Sequence, residues 1–194
     1  ILHLSPTEHV LLFSMHHIIS DGWSMGVLVN ELVQIHELSK AGDTTPLPAL
    51  EVQYSDFALW QQELERQGIL GQQADYWREM LSGYSGQLNL PLDTPRGPVA
   101  SYDGDAVQFH LPKDLGQALR KVASDAGVTL YSTLLASFQV LLHQFSGGDD
   151  VLVGADVAGR EQAQLEQLIG FFVNVLPLRS RFSADTAFST FLAG

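Results

Sequence analysis

Two adjacent histidines precede an aspartate and a glycine in the segment SMHHIISDGWS, residues 14–24. His17 stands four residues before Asp21, and Gly22 follows that aspartate directly. A neutral imidazole can accept a proton, so His17 is a candidate general base. The Asp21 carboxylate is expected to fix the local geometry, and Gly22 is expected to let the chain reverse tightly before a helix.

The element that must position these histidines is predicted to be a buried strand over residues 9–17, HVLLFSMHH, because apolar residues fill a run of strand length that ends in turn residues. Alternation along a strand puts His17 on the same face as Phe13 and Met15, and His16 on the opposite face. Burial beside those apolar side chains would favour the uncharged imidazole of His17.

The rest of the chain carries alternating helix and strand patterns. Ser24 is predicted to cap a helix that ends before Gly42. Helices with aromatic faces are expected within residues 52–67 and 71–81, and residues 82–105 read as a link between lobes. The remaining expectations are a strand at 106–111, a helix from Pro112 to about 127, a buried helix at 130–145, a strand at 150–159, a short helix near 161–168 and a long strand at 171–182. This order predicts an α/β protein.

Other chemistries find less support in the residues. Adjacent histidines on a strand diverge, and no third histidine stands at ligand spacing, so a metal site is not expected. The chain has neither the GxSxG of serine hydrolases nor a P-loop or GxGxxG for nucleotides. The isolated histidines are predicted to be surface or packing residues: His3, His9, His36, His110 and His143.

The charge balance bears on partners and location. The chain has 22 acidic and 10 basic residues, a formal net charge of −12, so a nucleic-acid partner is not expected. No apolar run is long enough for a membrane helix, no signal peptide is visible and cysteine is absent, which together predict a cytoplasmic protein without a membrane partner. The missing initiator methionine, and an apolar helical pattern that starts at the last residues, suggest an excerpt from a longer protein.

Three ordered motifs resemble those of nonribosomal peptide synthetase condensation domains, members of the HHxxxDG acyltransferase group that also contains chloramphenicol acetyltransferase. MHHIISDGWS (15–24) resembles the HHxxxDG signature, YSDFALWQ (54–61) resembles YxDFAxW, and LIGFFVNVLPLR (168–179) resembles IGxFVNT. Residues 141–160 are similar to the segment between the last two motifs, although family members often have a proline-containing PVAGR stretch where this chain has residues 156–160, beginning with Asp156. In the third motif, Val175 stands where family members often have threonine. The resemblance covers essentially the whole chain.

The resemblance implies a chloramphenicol acetyltransferase-like αβ sandwich with the histidine between two similar lobes. Residues 1–20 would be the tail of the N-terminal lobe, 21–104 a helical and linker region, and 105–194 part of the C-terminal lobe. Early and late family motifs are absent, so the chain is expected to be an internal fragment of a condensation domain. Whether the fragment is active by itself is left open.

The implied activity is amide bond formation between carrier-bound aminoacyl or peptidyl thioesters, in the biosynthesis of antibiotics or siderophores. His17 would be the catalytic residue, acting either as general base or by positioning the amine and stabilising the tetrahedral intermediate. The implied partners are donor and acceptor peptidyl carrier protein domains and an adenylation domain of the same synthetase. The 4'-phosphopantetheine arms belong to the carriers, so no cofactor of the domain itself is expected.

The remaining site residues have supporting parts in this resemblance. Asp21 is expected to form a structural ion pair with an arginine, for which Arg160 is a candidate. His16 is expected to pack and hydrogen-bond, and the side chains of the second motif, Tyr54, Asp56, Phe57 and Trp60, are expected to fill core. Residues assigned to the tunnel or lobe interface are Trp23, Ser24 and Asn174.

Three alternatives stay open. An epimerisation domain shares the histidine motif and inverts an aminoacyl α-carbon, although such domains commonly depart from the DGWSMGVL and GFFVN wording found here. A recruiting module of the same fold normally loses the motif histidine, which this chain keeps as His17. A free-standing acyltransferase that uses coenzyme A is the third alternative, and the DFALW and FFVN segments favour the peptide synthetase over it.

Overall fold

The computed structural model describes residues 1–95, 97–99, 101, 104–183 and 185–193. Its strands are β1 (Leu2–Ser5), β2 (Glu8–Val10), β3 (Asp150–Val157) and β4 (Asn174–Arg181). Its helices are α1 (Gly22–Lys40), α2 (Tyr54–Arg66), α3 (Ile69–Met80), α4 (Lys113–Asp125), α5 (Leu130–Ser146) and α6 (Phe188–Ala193), with 3-10 turns at His17–Ile19 and Ala163–Leu165.

The strands form two pairs. β1 and β2 make an antiparallel hairpin in which Leu2 faces Val10 and His3 faces His9. β3 and β4 pair with each other. The chain divides into two compact units: Ile1–Glu79 with Ala155–Leu176, and Met80–Gly154 with Pro177–Gly194. These two units do not test the lobe boundaries expected near residues 20 and 104, which stay a prediction.

The first unit has a small aromatic core beside the histidine motif. Phe57 of α2 packs with Leu165, Leu168 and Phe172, and Val52 borders this cluster. The rings of Phe57 and Phe172 are tilted with centroids 4.7 Å apart, a favourable arrangement for two aromatic side chains. Phe57 therefore fills core, as the helical pattern predicts.

The second unit is built on helix packing and one arginine with a buried side chain. α4 packs on α5, and α5 packs on α6. Thr129 caps α5 by accepting a hydrogen bond from the Ser132 amide at 3.0 Å. Arg179 on β4 forms an ion pair with Asp150 on β3, and its Nη1 also donates to the carbonyl oxygens of Met80 and Ser82. This arginine ties the chain after α3 to the strand pair.

The predicted helices form, with two corrections. Asp21 is the N-cap of α1, and Ser24 donates its amide to the Asp21 carboxylate, so the predicted cap at Ser24 is wrong. Asp21 takes this place because it has extended backbone angles and its carboxylate reaches the third helical amide. α5 is not buried throughout, since Tyr131 is 59% and Phe138 is 47% exposed.

Two predicted strands do not form. Of residues 9–17, only the first two belong to a strand, residues 11–16 have no regular structure, and His17 begins the 3-10 turn. Residues 106–111 form no strand either, and Phe109 in that segment is 77% exposed. A strand needs a hydrogen-bonded neighbour, and within the described ranges neither residues 11–17 nor residues 106–111 belong to a sheet. The predicted burial of the histidine segment is therefore wrong as well.

The later strands and the short helix form with shorter bounds than predicted: β3 ends at Val157, β4 spans Asn174–Arg181, and only Ala163–Leu165 make a 3-10 turn.

Within the part of the chain that the structure describes, no single helix combines the length and the hydropathy needed to cross a membrane. The pair α4 and α5, bent by 103°, meets that test only when both are taken together, by length and composition.

Candidate active site around His17

His17 stands on a short 3-10 turn that His16 shapes. The Nδ1 atom of His16 accepts a hydrogen bond from the Ile18 amide at 3.0 Å, and the His16 carbonyl accepts one from the Ile19 amide at 3.1 Å. His16 therefore caps the turn that presents His17. Both histidines are exposed, so the predicted placement of His17 beside Phe13 and Met15 in a buried strand is wrong.

The His17 ring has an aromatic neighbour that the sequence did not indicate. The rings of His17 and Phe171 meet edge to face, with centroids 5.4 Å apart and planes at 89°. The Phe171 carbonyl accepts a hydrogen bond from the Tyr54 hydroxyl at 2.9 Å. Tyr54 also lies against Gly170, where a Cβ atom would come within 2.2 Å of its ring. Tyr54 therefore holds the backbone of Gly170 and Phe171 in place and so positions the Phe171 ring beside His17.

Asp21 joins the start of α1 to two distant segments. Its Oδ1 accepts hydrogen bonds from the Ser24 amide at 2.8 Å and from Arg160 Nη2 at 3.1 Å. Its Oδ2 accepts a hydrogen bond from the Phe172 amide at 3.0 Å. The structure therefore brings Asp21 together with Arg160, the partner considered from the sequence, in a site where Asp21 is 5% and Arg160 is 8% exposed.

Arg160 is held through both terminal nitrogens and the face of its guanidinium group, whereas its buried Nε has no hydrogen-bond partner among the described residues. Its Nη1 donates to the carbonyl oxygens of Leu165 and Leu168, and its guanidinium carbon lies 4.0 Å from the centroid of the Phe172 ring. The preceding residue, Gly159, has a φ of +65°, and a Cβ atom there would lie 2.1 Å from the Phe172 carbonyl oxygen. Only glycine fits this close approach, which positions Arg160 under α1.

The environment of Asp21 keeps its carboxyl group ionised. Burial alone would raise the pKa, but hydrogen bonds from the Ser24 hydroxyl, the Ser24 amide and the Phe172 amide oppose it, and the Arg160 charge adds to them. Together they lower the pKa of Asp21 from 3.8 to about 2. At neutral pH the pair of Asp21 and Arg160 is therefore fully charged and neutral overall.

Ser24 lies within this network and is fully buried. Its hydroxyl contacts Asp21 Oδ1 at 2.7 Å and the Gly170 carbonyl at 2.9 Å, so these two acceptors share its one proton. It accepts hydrogen bonds from the Gly170 amide at 3.1 Å and from Arg160 Nη2 at 3.0 Å. Ser24 therefore connects α1 to Gly170, the residue before Phe171. The Ser24 side chain does not line the cavity beside the histidines.

A cavity of about 830 Å³ opens beside the histidines in the first unit. Trp23 forms part of its wall, with its indole Nε1 donating to the Glu166 carbonyl at 2.8 Å. The wall is largely apolar, and the cavity is lined by His16, His17, Ile18, Asp21, Gly22, Trp23, Asp156, Val157, Ala158, Phe171 and Val173. Such a space suits an extended organic substrate with few charges.

The two remaining site residues differ from expectation in their surroundings. Gly22 is the first residue of α1 and has no positive φ, and a Cβ there would meet nothing within 4 Å, so the predicted need for glycine in a tight reversal is wrong. Gly22 instead lines the cavity. Asn174 begins β4, is exposed and accepts a hydrogen bond from the Val175 amide at 2.9 Å, and it does not line the cavity.

The arrangement supports proton transfer and positioning. Among the described residues, no group of three or more potential metal ligands comes together. An exposed imidazole lies at a largely apolar cavity, while the strongest local charges, those of Asp21 and Arg160, neutralise each other beneath α1. Because the Nδ1 atom of His16 accepts a hydrogen bond within its own turn, His17 is the better placed of the two histidines to exchange a proton with a substrate.

Two peptide synthases are similar in sequence to this chain. The chain is 45% identical over 188 residues to one of the linear gramicidin synthase subunits of Brevibacillus parabrevis, a match that covers 97% of this chain and 4% of that protein. It is 44% identical over 188 residues to surfactin synthase subunit 1 of Bacillus subtilis (strain 168), covering 97% of this chain and 5% of that protein. The chain therefore spans a small part of these relatives.

Solved structures agree on the fold. The X-domain from teicoplanin biosynthesis superposes with a TM-score of 0.82 at 28% identity, over 92% of this chain and 41% of that one. The first condensation domain of the CDA synthetase superposes with a TM-score of 0.72 at 22% identity, over 91% of this chain and 38% of that one. These neighbours confirm the predicted α/β fold of chloramphenicol acetyltransferase type.

The family profile of the condensation domain matches residues 1–194, the whole of the sequence. The structure brings the three motifs around His17, Tyr54 and Phe171 together in one unit. The chain belongs to the condensation domain family.

Proposed function

We propose that this chain forms amide bonds between carrier-bound thioesters in nonribosomal peptide synthesis. The observation that carries the proposal is the exposed His17 imidazole at a largely apolar cavity of about 830 Å³. Condensation domains are acyltransferase-type catalytic domains, and the relatives with 44% to 45% identity are peptide synthases, which supports peptide bond formation over other acyl transfers.

The reaction joins two acyl groups at the cavity. The free amine of the acceptor attacks the carbonyl carbon of the donor thioester and forms the new C–N bond, which gives a tetrahedral intermediate. His17 takes a proton from the attacking nitrogen, or orients that nitrogen while the intermediate forms. The C–S bond then breaks, the donor thiolate leaves and is protonated, and the amide remains on the acceptor. Holding both substrates in one cavity lowers the entropic barrier.

Neighbouring domains would supply the substrates. The relatives are large synthases of which this chain spans 4% to 5%, which supports donor and acceptor peptidyl carrier protein domains and an adenylation domain as partners. The 4'-phosphopantetheine arms of those carriers would enter the cavity with the acyl groups attached. The domain itself would bind no resident cofactor, and the cytoplasm stays the location predicted from the sequence.

The test compares the full-length protein that carries this chain with its His17→Ala variant. Two carrier proteins are loaded with different aminoacyl groups, and the amide product is measured by mass spectrometry. Loss of a general base lowers turnover by roughly 10²- to 10⁴-fold. The control is His36→Ala, because His36 is an exposed histidine of α1 that does not line the cavity.

Three outcomes would change the proposal. Turnover above a few per cent in His17→Ala would reduce His17 to a positioning residue. Inversion of an aminoacyl α-carbon by the wild type, without formation of an amide, would favour the epimerisation alternative. Transfer from coenzyme A in place of a carrier would favour the free-standing acyltransferase.

A further inference from the structure

We propose that Asp156 is the binding site for an alkylammonium group of the substrate in the His17 cavity. This inference rests on the proposed function, since it concerns what the amine-bearing substrate contacts there. Asp156 lies on β3 and lines the same cavity as His17. It is exposed, so its carboxylate is accessible to a substrate.

The charges of the wall single out Asp156. The cavity has two carboxylates in its lining, Asp21 and Asp156. Asp21 is 5% exposed and is neutralised by Arg160, which also turns its second nitrogen to backbone carbonyl groups. The Asp156 side chain forms no hydrogen bond or ion pair with any other residue that the structure describes. Among the residues that the structure describes, the cavity lining therefore carries one accessible negative charge without a partner.

The apolar residues of the cavity lining favour binding of a cation at Asp156. Around Asp156 the lining is apolar, from Val157 and Ala158 on the same segment to Trp23 and Phe171 on two others. Apolar side chains offer a cation no competing polar contact, so Asp156 is the accessible anionic partner in the described lining. The acceptor of an amide-forming reaction carries an amine that is largely protonated below its pKa of about 7.7 to 8.0. An ammonium group is therefore the chemistry that this wall recognises.

Two sources supply an alkylammonium group: the α-amine of the acceptor and the side chain of a basic amino acid. Both make the same contact with a carboxylate, and two probes separate them. One is the stable amide analogue of alanyl-pantetheine with its α-amine free. The other is the analogue of lysyl-pantetheine with its α-amine acetylated, which keeps only the side-chain ammonium group. The fully acetylated alanyl analogue is the uncharged reference.

The experiment measures the affinity of the full-length protein for each probe by calorimetry at pH 6.5, in the wild type and in Asp156→Asn. Asparagine keeps the size of the side chain and removes its charge. We expect affinity for a charged probe to fall by about 3- to 10-fold, as for a partly exposed charge pair, while the uncharged reference binds equally to both proteins. The loss should shrink at high salt, because ions screen an exposed pair.

The control variant is Glu161→Gln, because Glu161 is an exposed acidic residue near Asp156 in sequence that does not line the cavity. It should leave all affinities unchanged. A loss confined to the alanyl probe assigns the site to the α-ammonium group, and a loss confined to the lysyl probe assigns it to a basic side chain.

Equal affinities of wild type and Asp156→Asn for both charged probes would overturn the inference. That failure is distinct from failure of the proposed function, since the wild type would still form amide in the carrier assay. Conversely, a wild type that forms no amide but shows the charge-dependent loss would keep the ammonium site and reject the reaction.

Discussion

Replacing Arg160 with methionine tests whether the buried network beneath α1 holds the candidate site together. The change removes the guanidinium group and leaves the Asp21 carboxylate, 5% exposed, without its opposite charge. Asp21→Asn makes the complementary change, because the amide oxygen is still able to accept the Ser24 amide while the negative charge is lost. The double variant removes both charges.

Two independent figures set the expected magnitude. Leaving one member of a buried ion pair unpaired costs about 3 to 5 kcal/mol. The fall in the pKa of Asp21 from 3.8 to about 2 corresponds to about 2 kcal/mol of net stabilisation of its charged form. The second figure is smaller because the desolvation of Asp21 has already been subtracted from it. Each single variant should therefore lose about 3 kcal/mol, and the double variant should lose at least about 2 kcal/mol less than the sum.

Hydrogen exchange with mass spectrometry measures this loss locally in the full-length protein. Protection of the amides at the start of α1, Ser24 among them, should fall by roughly 10²-fold or more in each single variant. The control is Arg66→Met, since Arg66 pairs with Glu63 on an exposed face of α2, where such a pair contributes about 1 kcal/mol or less. Single variants no more costly than this control, or losses that simply add, would refute the reasoning.

Acid should weaken the same network, since a carboxyl group with a lowered pKa stabilises the fold above its unfolded pKa and loses that contribution as the pH falls towards its folded pKa. The urea midpoint of the wild type should therefore drop between about pH 5 and pH 2 by more than that of Asp21→Asn, and equal drops would contradict the assignment. Gly159→Ala should cost about 2 kcal/mol or more, because its φ is +65° and the new Cβ would lie 2.1 Å from the Phe172 carbonyl oxygen. Gly22→Ala is the control, and its thermal unfolding midpoint should stay within a few degrees of the wild type, because a Cβ there meets nothing within 4 Å. Equal midpoints for the two variants would show that the close approach at Gly159 costs no stability.

The sequence predicts helices well here because their signals are local. Apolar residues at helical spacing identify α1, α2 and α3, and Thr129 and Gly147 flank α5 as cap residues do. The strand predicted over residues 9–17 fails for the opposite reason. Whether an apolar run of strand length becomes a strand depends on a partner elsewhere in the chain, which the run itself does not encode.

The candidate site also has a part that the sequence predicts and a part that it does not. The HHxxxDG motif identifies His17 and Asp21, and the family resemblance offers Arg160 as a candidate partner of Asp21. The structure places Asp21 and Arg160 in contact. The edge-to-face contact of His17 with Phe171, and the hydrogen bond that fixes Phe171 from Tyr54 across 117 positions, carry no local signal. An aromatic residue on a helix face is as consistent with packing in the core as with a role at a site. Nothing in the sequence therefore connects Tyr54 with the His17 imidazole.

The link between Asp21 and Arg160 also has a meaning for how the protein is made. The two residues are 139 positions apart, so a ribosome that adds 5 to 20 residues each second needs roughly 7 to 28 s to reach the second after the first. During that interval the nascent α1 carries an aspartate whose counter-charge has not yet been translated. The histidine turn therefore emerges from the ribosome well before the arginine that supports it has been added to the chain.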